Sequence, residues 1–412
     1  LYSAFTYYLG FKVNSGEYKV MGLAPYGSPK FKKKILENII DLKDDGSFYL
    51  DQNFFNYSTG LTMVNQKFSN LFGKPIRYPE SELSQFHMDV ASSIQAVIDQ
   101  VVMTIVKNLY DEFKIDNLCL AGGVALNCVT NSKILKLKKF KKMWIQPASG
   151  DAGGSLGAAL LGEYKHLGKK RNIDQNDKMK GSFLGPKYSN SKIRVDLESC
   201  GAKFDFLSDN EIIKKTAENL SDGKAVGWFN GRMEFGPRSL GSRSIIADPR
   251  NSNMQKDLNL KIKFRESFRP FAPSILREDL GDWFDFDEDS PYMLFVCDVN
   301  KNIIYKPDIN KKELSGVDKI NIVRSKIPAV THVDNSARVQ TVNRDTNPKF
   351  YSLISEFKKI TSCSLLLNTS FNIRGEPIVC SPIDAYKCFM SNNLDILVIE
   401  NFFLKKIDQK VI

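Results

Sequence analysis

Two stretches, "NLCLAGGVALNCVTNSKIL" from Asn117 and "MWIQPASGDAGGSLGAALLG" from Met143, repeat one pattern. Each reads as a short buried strand, a glycine-rich turn and a helix, which in the first copy starts near Ala125. Two such units in succession predict an α/β domain on a parallel sheet, with ligands lying beyond the strand ends. The turns put backbone N–H groups at a helix N-terminus, where unsatisfied donors and the helix dipole favour phosphate. Gly122, Gly123 and Gly150 are therefore candidate nucleotide contacts, and Asp151 is a candidate ligand for a metal ion or a ribose hydroxyl. Glycine also serves tight packing; it is the repetition that favours the ligand reading.

Ahead of these turns, Phe86, Val90, Ile94, Val97, Val101, Ile105, Leu109 and Phe113 recur at three- and four-residue intervals. That spacing predicts one long amphipathic helix over 85–113. Gln95, Asp99 and Gln100 break its most apolar window, so a membrane span is not expected. A chain of 412 residues, 42% hydrophobic and 25% charged, has room for two or three globular domains. Its seven cysteines are scattered without a CxxC pair and read as reduced thiols of a cytoplasmic protein. The three histidines, His87, His166 and His332, cannot form a self-contained metal site. A net charge of +11 points to anionic partners. Part of that charge is the run "KILKLKKFKK", Lys133 to Lys142, read as a solvated helix face in preference to a nucleic-acid surface.

A polar, basic segment over 162–181 is the best linker, giving expected domains at 1–170 and 181–412 with 171–180 between them. The second half reads as α+β. A helix is expected over 210–220, then strands at "AVGWF", "YMLFVCDV", "ARVQTV" and "CSLLLNTSF", a helix at "PIDAYKCFM" and a last strand at "ILVIE". The lysine-rich stretch 300–325 reads as a surface insertion.

Within this half, "FNGRMEFGPRSLGSRSIIADPR", Phe229 to Arg250, sets four arginines among glycines and prolines, without a clean helical or alternating period. Arginine keeps its proton and offers a rigid fork of donors matched to phosphate oxygens. Turns at Gly231, Gly236, Pro237 and Gly241 can aim several guanidinium groups at one point. "KFRESFRPFAPSIL" adds Lys263, Arg265 and Arg269. Some of this basic set is expected to pair with Glu234, Asp248 or Glu266, leaving Arg238, Lys263 and Arg269 as the ligand contacts. "HVDNSARVQTV" brings His332 and Arg338 to the edge of a strand, and "LLLNTSFNIRGEPIV" places Asn368, Ser370 and Asn372 just after a buried one.

These four segments resemble the C-terminal, YrdC-like domain of the NodU/CmcH/TobZ O-carbamoyltransferases. "GEYKVMGLAPYG", "LAGGVALNCVTNSKI" and "PASGDAGGSLGAAL" resemble the second half of that family's Kae-type domain, which has the actin-like ASKHA fold. The resemblance runs along essentially the whole chain. It implies that carbamoyl phosphate and ATP yield carbamoyl-adenylate in the C-terminal domain. The carbamoyl group then passes to a hydroxyl of a sugar, an aminoglycoside or another natural product in the Kae-type domain, with release of AMP. Arg238, Lys263, Arg269, Arg338, Asn368 and Ser370 match positions that bind carbamoyl phosphate and ATP. Gly122, Gly123, Asn127 and Gly150 match the nucleotide-binding turns, and Asp151 matches a ligand of a divalent metal such as Fe(II).

The family's HxxxH pair, which joins the aspartate on that metal, is absent from this sequence. The chain begins at Leu1 in what reads as the middle of a Kae-type domain. The expectation is a fragment with an incomplete site for the second step. A homodimer fits the resemblance; a nucleic-acid or membrane partner is not expected. Two alternatives are a relative of the tRNA threonylcarbamoyl enzymes, set aside because of the fused domain order, and a non-catalytic basic nucleic-acid-binding protein.

Overall fold

The computed structural model describes residues 1–172, 177–306, 314 and 316–410. The chain divides into two compact units. The first is formed by Leu1–Cys119, Asn127–Trp144 and Pro307–Ile322; the second by Leu120–Leu126, Ile145–Lys306 and Val323–Ile412.

In the first unit, helices α1 (Tyr2–Tyr8), α2 (Glu17–Leu23) and α3 (Lys32–Asn38), the hairpin of β1 (Ile40–Leu42) with β2 (Phe48–Leu50), and α4 (Gln66–Phe72) surround α5 (Gln85–Phe113). The predicted long helix thus forms over the expected residues. It starts where a capping box joins Ser84 to His87. Its stripe is buried at Val90, Ile94, Val97 and Val101, while Leu109 and Phe113 are exposed. By length and composition α5 could cross a membrane, but over half of its most apolar window is buried, as in the core helix of a globular unit. Part of the expected surface insertion, 316–321, forms a 3-10 turn that packs in this unit, with Gly316 beside Met88. The stretch 307–313 lies outside the described residues.

The strand–turn–helix pattern holds twice. β3 (Asn117–Leu120) leads through a 3-10 turn at Gly123–Leu126 to α6 (Cys128–Lys136), and β4 (Lys142–Ile145) leads to α7 (Asp151–Leu161). β3 and β4 form a two-stranded sheet of their own, smaller than the expected parallel sheet. The first helix begins later than Ala125 because Asn127 caps it, its Oδ1 accepting from Thr130 N at 3.2 Å.

The second unit is built on a ten-stranded mixed sheet. In chain order its strands are β5 (Asp205–Phe206), β6 (Val226–Phe229), β7 (Arg243–Ala247), β8 (Ala272–Leu276), β9 (Phe284–Asp285), β10 (Phe295–Val299), β11 (Ser336–Val342), β12 (Leu365–Ser370), β13 (Ile396–Ile399) and β14 (Phe402–Lys405). They lie in the order β5-β14-β13-β6-β7-β12-β8-β11-β10-β9. β13 runs parallel to β6 and β11 to β8; the other seven neighbouring pairs of this sheet are antiparallel. Helices α8 (Asn190–Ser199), α9 (Asp209–Ser221), α10 (Met254–Asp257), α11 (Leu280–Trp283), α12 (Pro348–Thr361) and α13 (Pro382–Met390) complete it. Local chemistry sets their starts. Ser208 and Glu211 form a capping box on α9, Ser381 and Asp384 do so on α13, and Asn347 followed by Pro348 opens α12.

Part of the arginine stretch, which shows no alternating period in the sequence, is a strand: Arg243–Ala247 is the central strand β7, buried at every position. An α/β and α+β chain is what the residues predict, and a mixed α/β structure is what forms.

Candidate active site

The loop between β6 and β7, residues 230–242, carries Arg238. Glu234 sits at its centre, 6% exposed, its Oε1 accepting from the N–H groups of Leu240 (2.7 Å), Ser242 (2.8 Å) and Arg243 (3.3 Å). Burial raises the Glu234 carboxyl above the usual range, against the pull of those donors and of the Arg243 charge. Gly241, at φ +100°, lets the chain turn where a Cβ would run into the Phe350 ring.

Two of the four arginines serve the fold, as expected for part of the set. Arg243 is fully buried. It stacks 3.4 Å from the Phe229 ring centre and donates to the carbonyls of Asn230, Gly231, Ser242 and Pro186. Burial lowers its pKa to about 10 even beside Glu234 and Glu400. Arg250 clasps Asp248, with Nη2 to Oδ2 at 2.6 Å. Arg232 is exposed and donates to Gly185 O, whereas Arg238 is partly buried on the loop itself.

One face of the sheet gathers the other candidates. In β11 side chains alternate, so Arg338 and Gln340 share a face; in β12 so do Asn368 and Ser370. Hydrogen bonds show the two faces to be the same one: Asn368 Nδ2 reaches Gln340 Oε1 at 3.0 Å and Ser274 Oγ at 2.9 Å. Asn368 Nδ2 also donates to Ser239 O at 3.2 Å, tying this face to the loop beside Arg238. At the end of β12, Lys263 Nζ meets Ser370 O (2.7 Å), Ser370 Oγ (3.2 Å), Asn372 O (2.7 Å) and Asn372 Oδ1 (2.5 Å). Burial drives this amine well below the ordinary lysine range, with the charges of Arg265 and Arg269 pushing the same way. These oxygens use its three donors, so Lys263 holds the Ser370–Asn372 turn in place. Arg269, expected as a ligand contact, lies 3.6 Å from Glu266.

The second glycine turn meets the arginine loop. Gly122 N–H donates to Ser149 O at 2.8 Å, joining the two glycine turns, and Gly236 packs against Pro147, where a Cβ would stand 3.0 Å from its carbonyl oxygen. A Cβ at Gly122 or Gly123 would meet nothing within 4 Å, so open space rather than tight packing surrounds them. Two candidates have other places. Asn127 is committed in the first unit to the α6 cap and to Gln95, its Nδ2 donating to Gln95 Oε1 at 3.1 Å. Asp151 is exposed in the first turn of α7, and among the described residues no three His, Cys, Asp or Glu side chains gather as a metal set. The residues present do not fit a metal centre. His332 pairs with Asp334 at 3.5 Å: burial opposes that carboxylate, but His332 and Ser336 hold its pKa down to about 2.

Sequence reasoning misses Gln340, Ser274 and Glu234 as site residues. The signal was there in two cases, since a glutamine inside "ARVQTV" and a serine inside "APSIL" are polar groups in strands that must be buried.

Comparison with known proteins decides the family. "Carbamoyltransferase N-terminus" matches residues 1–160 and "Carbamoyltransferase C-terminus" matches residues 217–406. The chain belongs to the carbamoyltransferase family. It is 56% identical over 411 residues to an uncharacterized protein of Synechocystis, covering 99% of this chain and 67% of that one. It is 36% identical over 405 residues to the nodulation protein NolNO of Sinorhizobium fredii, covering 97% of this chain and 54% of that one. It is 33% identical over 262 residues to the 3'-hydroxymethylcephem-O-carbamoyltransferase of Streptomyces clavuligerus, covering 64% of this chain and 43% of that protein. This carbamoyltransferase chain thus spans from under half to two thirds of these relatives' lengths.

Proposed function

We propose that the second unit activates a carbamoyl group. Carbamoyl phosphate, ATP and one water give carbamoyl-adenylate, phosphate and pyrophosphate, and the carbamoyl group then moves to a hydroxyl of a small-molecule acceptor with release of AMP. Residues 181–412 are read as a YrdC-like domain and 1–170 as part of a Kae-type, ASKHA-fold domain. The relative named as a 3'-hydroxymethylcephem-O-carbamoyltransferase supports a small-molecule hydroxyl as the acceptor, and a sugar or other natural product is the class proposed.

One observation carries the reading. The Arg238 loop, Arg338, Asn368 and the Lys263-braced Ser370 are tied to one sheet face by direct hydrogen bonds and strand register. Two phosphorylated reactants repel each other, and fixed cations and N–H dipoles around them lower that repulsion and the charge building on the transferring phosphorus. Here Arg238, Arg269 and Arg338 supply permanent charge, and Lys263 keeps the Ser370 turn from moving. The open glycine turns add backbone around Gly123 and Gly150, the Gly122 N–H itself being taken by Ser149 O. Asp151 gives the second step no metal centre of its own, and none is assigned.

Against the opposing reading as a basic nucleic-acid binder, Lys133, Lys139 and Lys141 of the lysine run pair with Asp99, Asp111 and Asp116. Carbamoyl-phosphate-dependent ATP–pyrophosphate exchange tests the proposal. The protein is expected to exchange, and Arg238→Ala to lower the rate about 100-fold. An active parent with an unaffected Arg238→Ala variant would remove the site assignment.

A further inference from the structure

The loop that carries Arg238 has its backbone oxygens gathered inward one after another. Ser239 O accepts from Asn368 Nδ2, Leu240 O from Gln340 Nε2 at 2.8 Å, and Gly241 O from Trp228 Nε1 at 3.0 Å and Asn347 Nδ2 at 3.4 Å. In a trans peptide the C=O and N–H point opposite ways. The Ser239–Leu240 peptide is therefore gripped from two sides, by Asn368 on its oxygen and by Glu234 on its N–H.

Gln340 is central to this grip. It is 3% exposed, and its Nε2 must face Leu240 O, because a carbonyl can only accept. Its Oε1 then faces Asn368 Nδ2 and also accepts from Ser274 Oγ at 2.5 Å. The Asn368 amide is oriented by the same logic, since Ser239 O also demands a donor. Asn368 Oδ1 is left buried without a hydrogen-bond partner. An orphaned buried oxygen costs about 1–3 kcal/mol, so an amide held in this sense serves orientation more than stability.

We propose that Gln340 is a positioning residue: it locks the arginine loop, through Leu240 O, to the strand that bears Asn368, and so sets the turnover of the site. The role rests on the carbamoyl-activation reading above. A carbonyl turned towards a phosphorylated reactant would repel it; Gln340 keeps the Leu240 oxygen turned away and Arg238 at a fixed distance from Asn368.

Two variants test this. Gln340→Met removes both arms of the amide. Gln340→Glu, assayed across pH, keeps the acceptor for Ser274 and Asn368 and cannot donate to Leu240 O once ionised, so the comparison is made on the alkaline limb. Both are expected to lower kcat for exchange about 10- to 100-fold, with KM for carbamoyl phosphate within about threefold of the parent. Amide hydrogen exchange at 239–243 is expected to rise about tenfold or more. A parental kcat in either variant, or a raised KM at unchanged kcat, overturns the proposal. If the parent itself shows no exchange activity, the carbamoyl-adenylate reading fails instead, and amide exchange still reads the clamp: parental protection at 239–243 in the variants refutes it. Should Gln340→Met fail to fold, Gln340→Glu alone gives the reading.

Discussion

Replacing Glu234 by alanine and by glutamine separates an acceptor role from a charge role. In the parent, Oε1 takes three backbone N–H groups, two of them at 2.7 and 2.8 Å and the third, longer, at 3.3 Å. Alanine leaves these donors buried. At about 1–3 kcal/mol for each well-formed bond lost without replacement, the two short ones alone cost about 2–6 kcal/mol. Removing a desolvated carboxylate whose Oε2 has no hydrogen-bond partner offsets part of that, so a net loss of about 2–4 kcal/mol is expected. Glutamine keeps the oxygen and loses the charge. Because burial already raises the Glu234 carboxyl, and only Arg243 is lost as an attractive partner, Glu234→Gln is expected within about 1 kcal/mol of the parent. Trp228, fully buried and bonded to Gly241 O, is a natural fluorescent reporter for urea unfolding of this unit. If glutamine proves as damaging as alanine, the carboxylate acts through its charge, and the account of the loop as a backbone-donor knot is wrong.

Three further outcomes follow from the same geometry. Lys263→Met, which fills similar volume without donors, should destabilise by about 2–4 kcal/mol, since it strands the oxygens of Ser370 and Asn372; an inactive variant of parental stability would return Lys263 to a ligand role. Burial, with Arg77 and Lys74 nearby, lowers His87 from 6.5 to about 4, and its Nδ1 accepts from Ser84 N at 3.0 Å only while unprotonated. The unfolded chain therefore binds this proton more readily, and stability should fall between pH 6.5 and 4 by on the order of 1 kcal/mol, since the ring is half-exposed; His87→Gln should flatten that limb of a pH–denaturation series. Changing Lys138 and Lys142 together to glutamine should leave exchange activity at the parental level, and a drop would bring the basic run back into function.

Much of this was legible where local chemistry and burial agree. Helix α5 spans the residues its apolar spacing predicts and α13 forms at the expected segment, because apolar stripes and caps act within a turn or two. The arginine stretch was half legible. Its glycines and prolines announced turns, and the pairing of Arg250 with Asp248 followed from nearness in sequence. Strand β7 was hidden, because Arg243 stands in "RSIIA" where a buried strand should carry an apolar residue. What licenses it is tertiary: the Phe229 ring and carbonyls from Asn230, Gly231 and Pro186, the last of these 57 residues away in the chain. The surroundings of Lys263 are tertiary in the same way. A lysine next to arginines reads as a ligand contact until Ser370 and Asn372, more than a hundred residues away, take up its donors.

The buried cations and the buried amides answer one physical difficulty. A glycine- and proline-rich loop can aim arginines at a point, but it also exposes backbone, and half of every exposed peptide is a carbonyl that repels anions. Fixed dipoles matter most where water is excluded, so a site for two phosphorylated reactants must dispose of those oxygens before its guanidinium groups can act. Arg243 draws in the carbonyls of Asn230, Gly231 and Ser242 from the loop, and Asn368, Gln340 and Trp228 draw in those of Ser239, Leu240 and Gly241. On the proposed reading, the residues that turn these carbonyls inward largely stay below the loop's surface, and the cost of burying Arg243 is offset by the carbonyls of Asn230, Gly231 and Ser242 being held off the rim that carries Arg238.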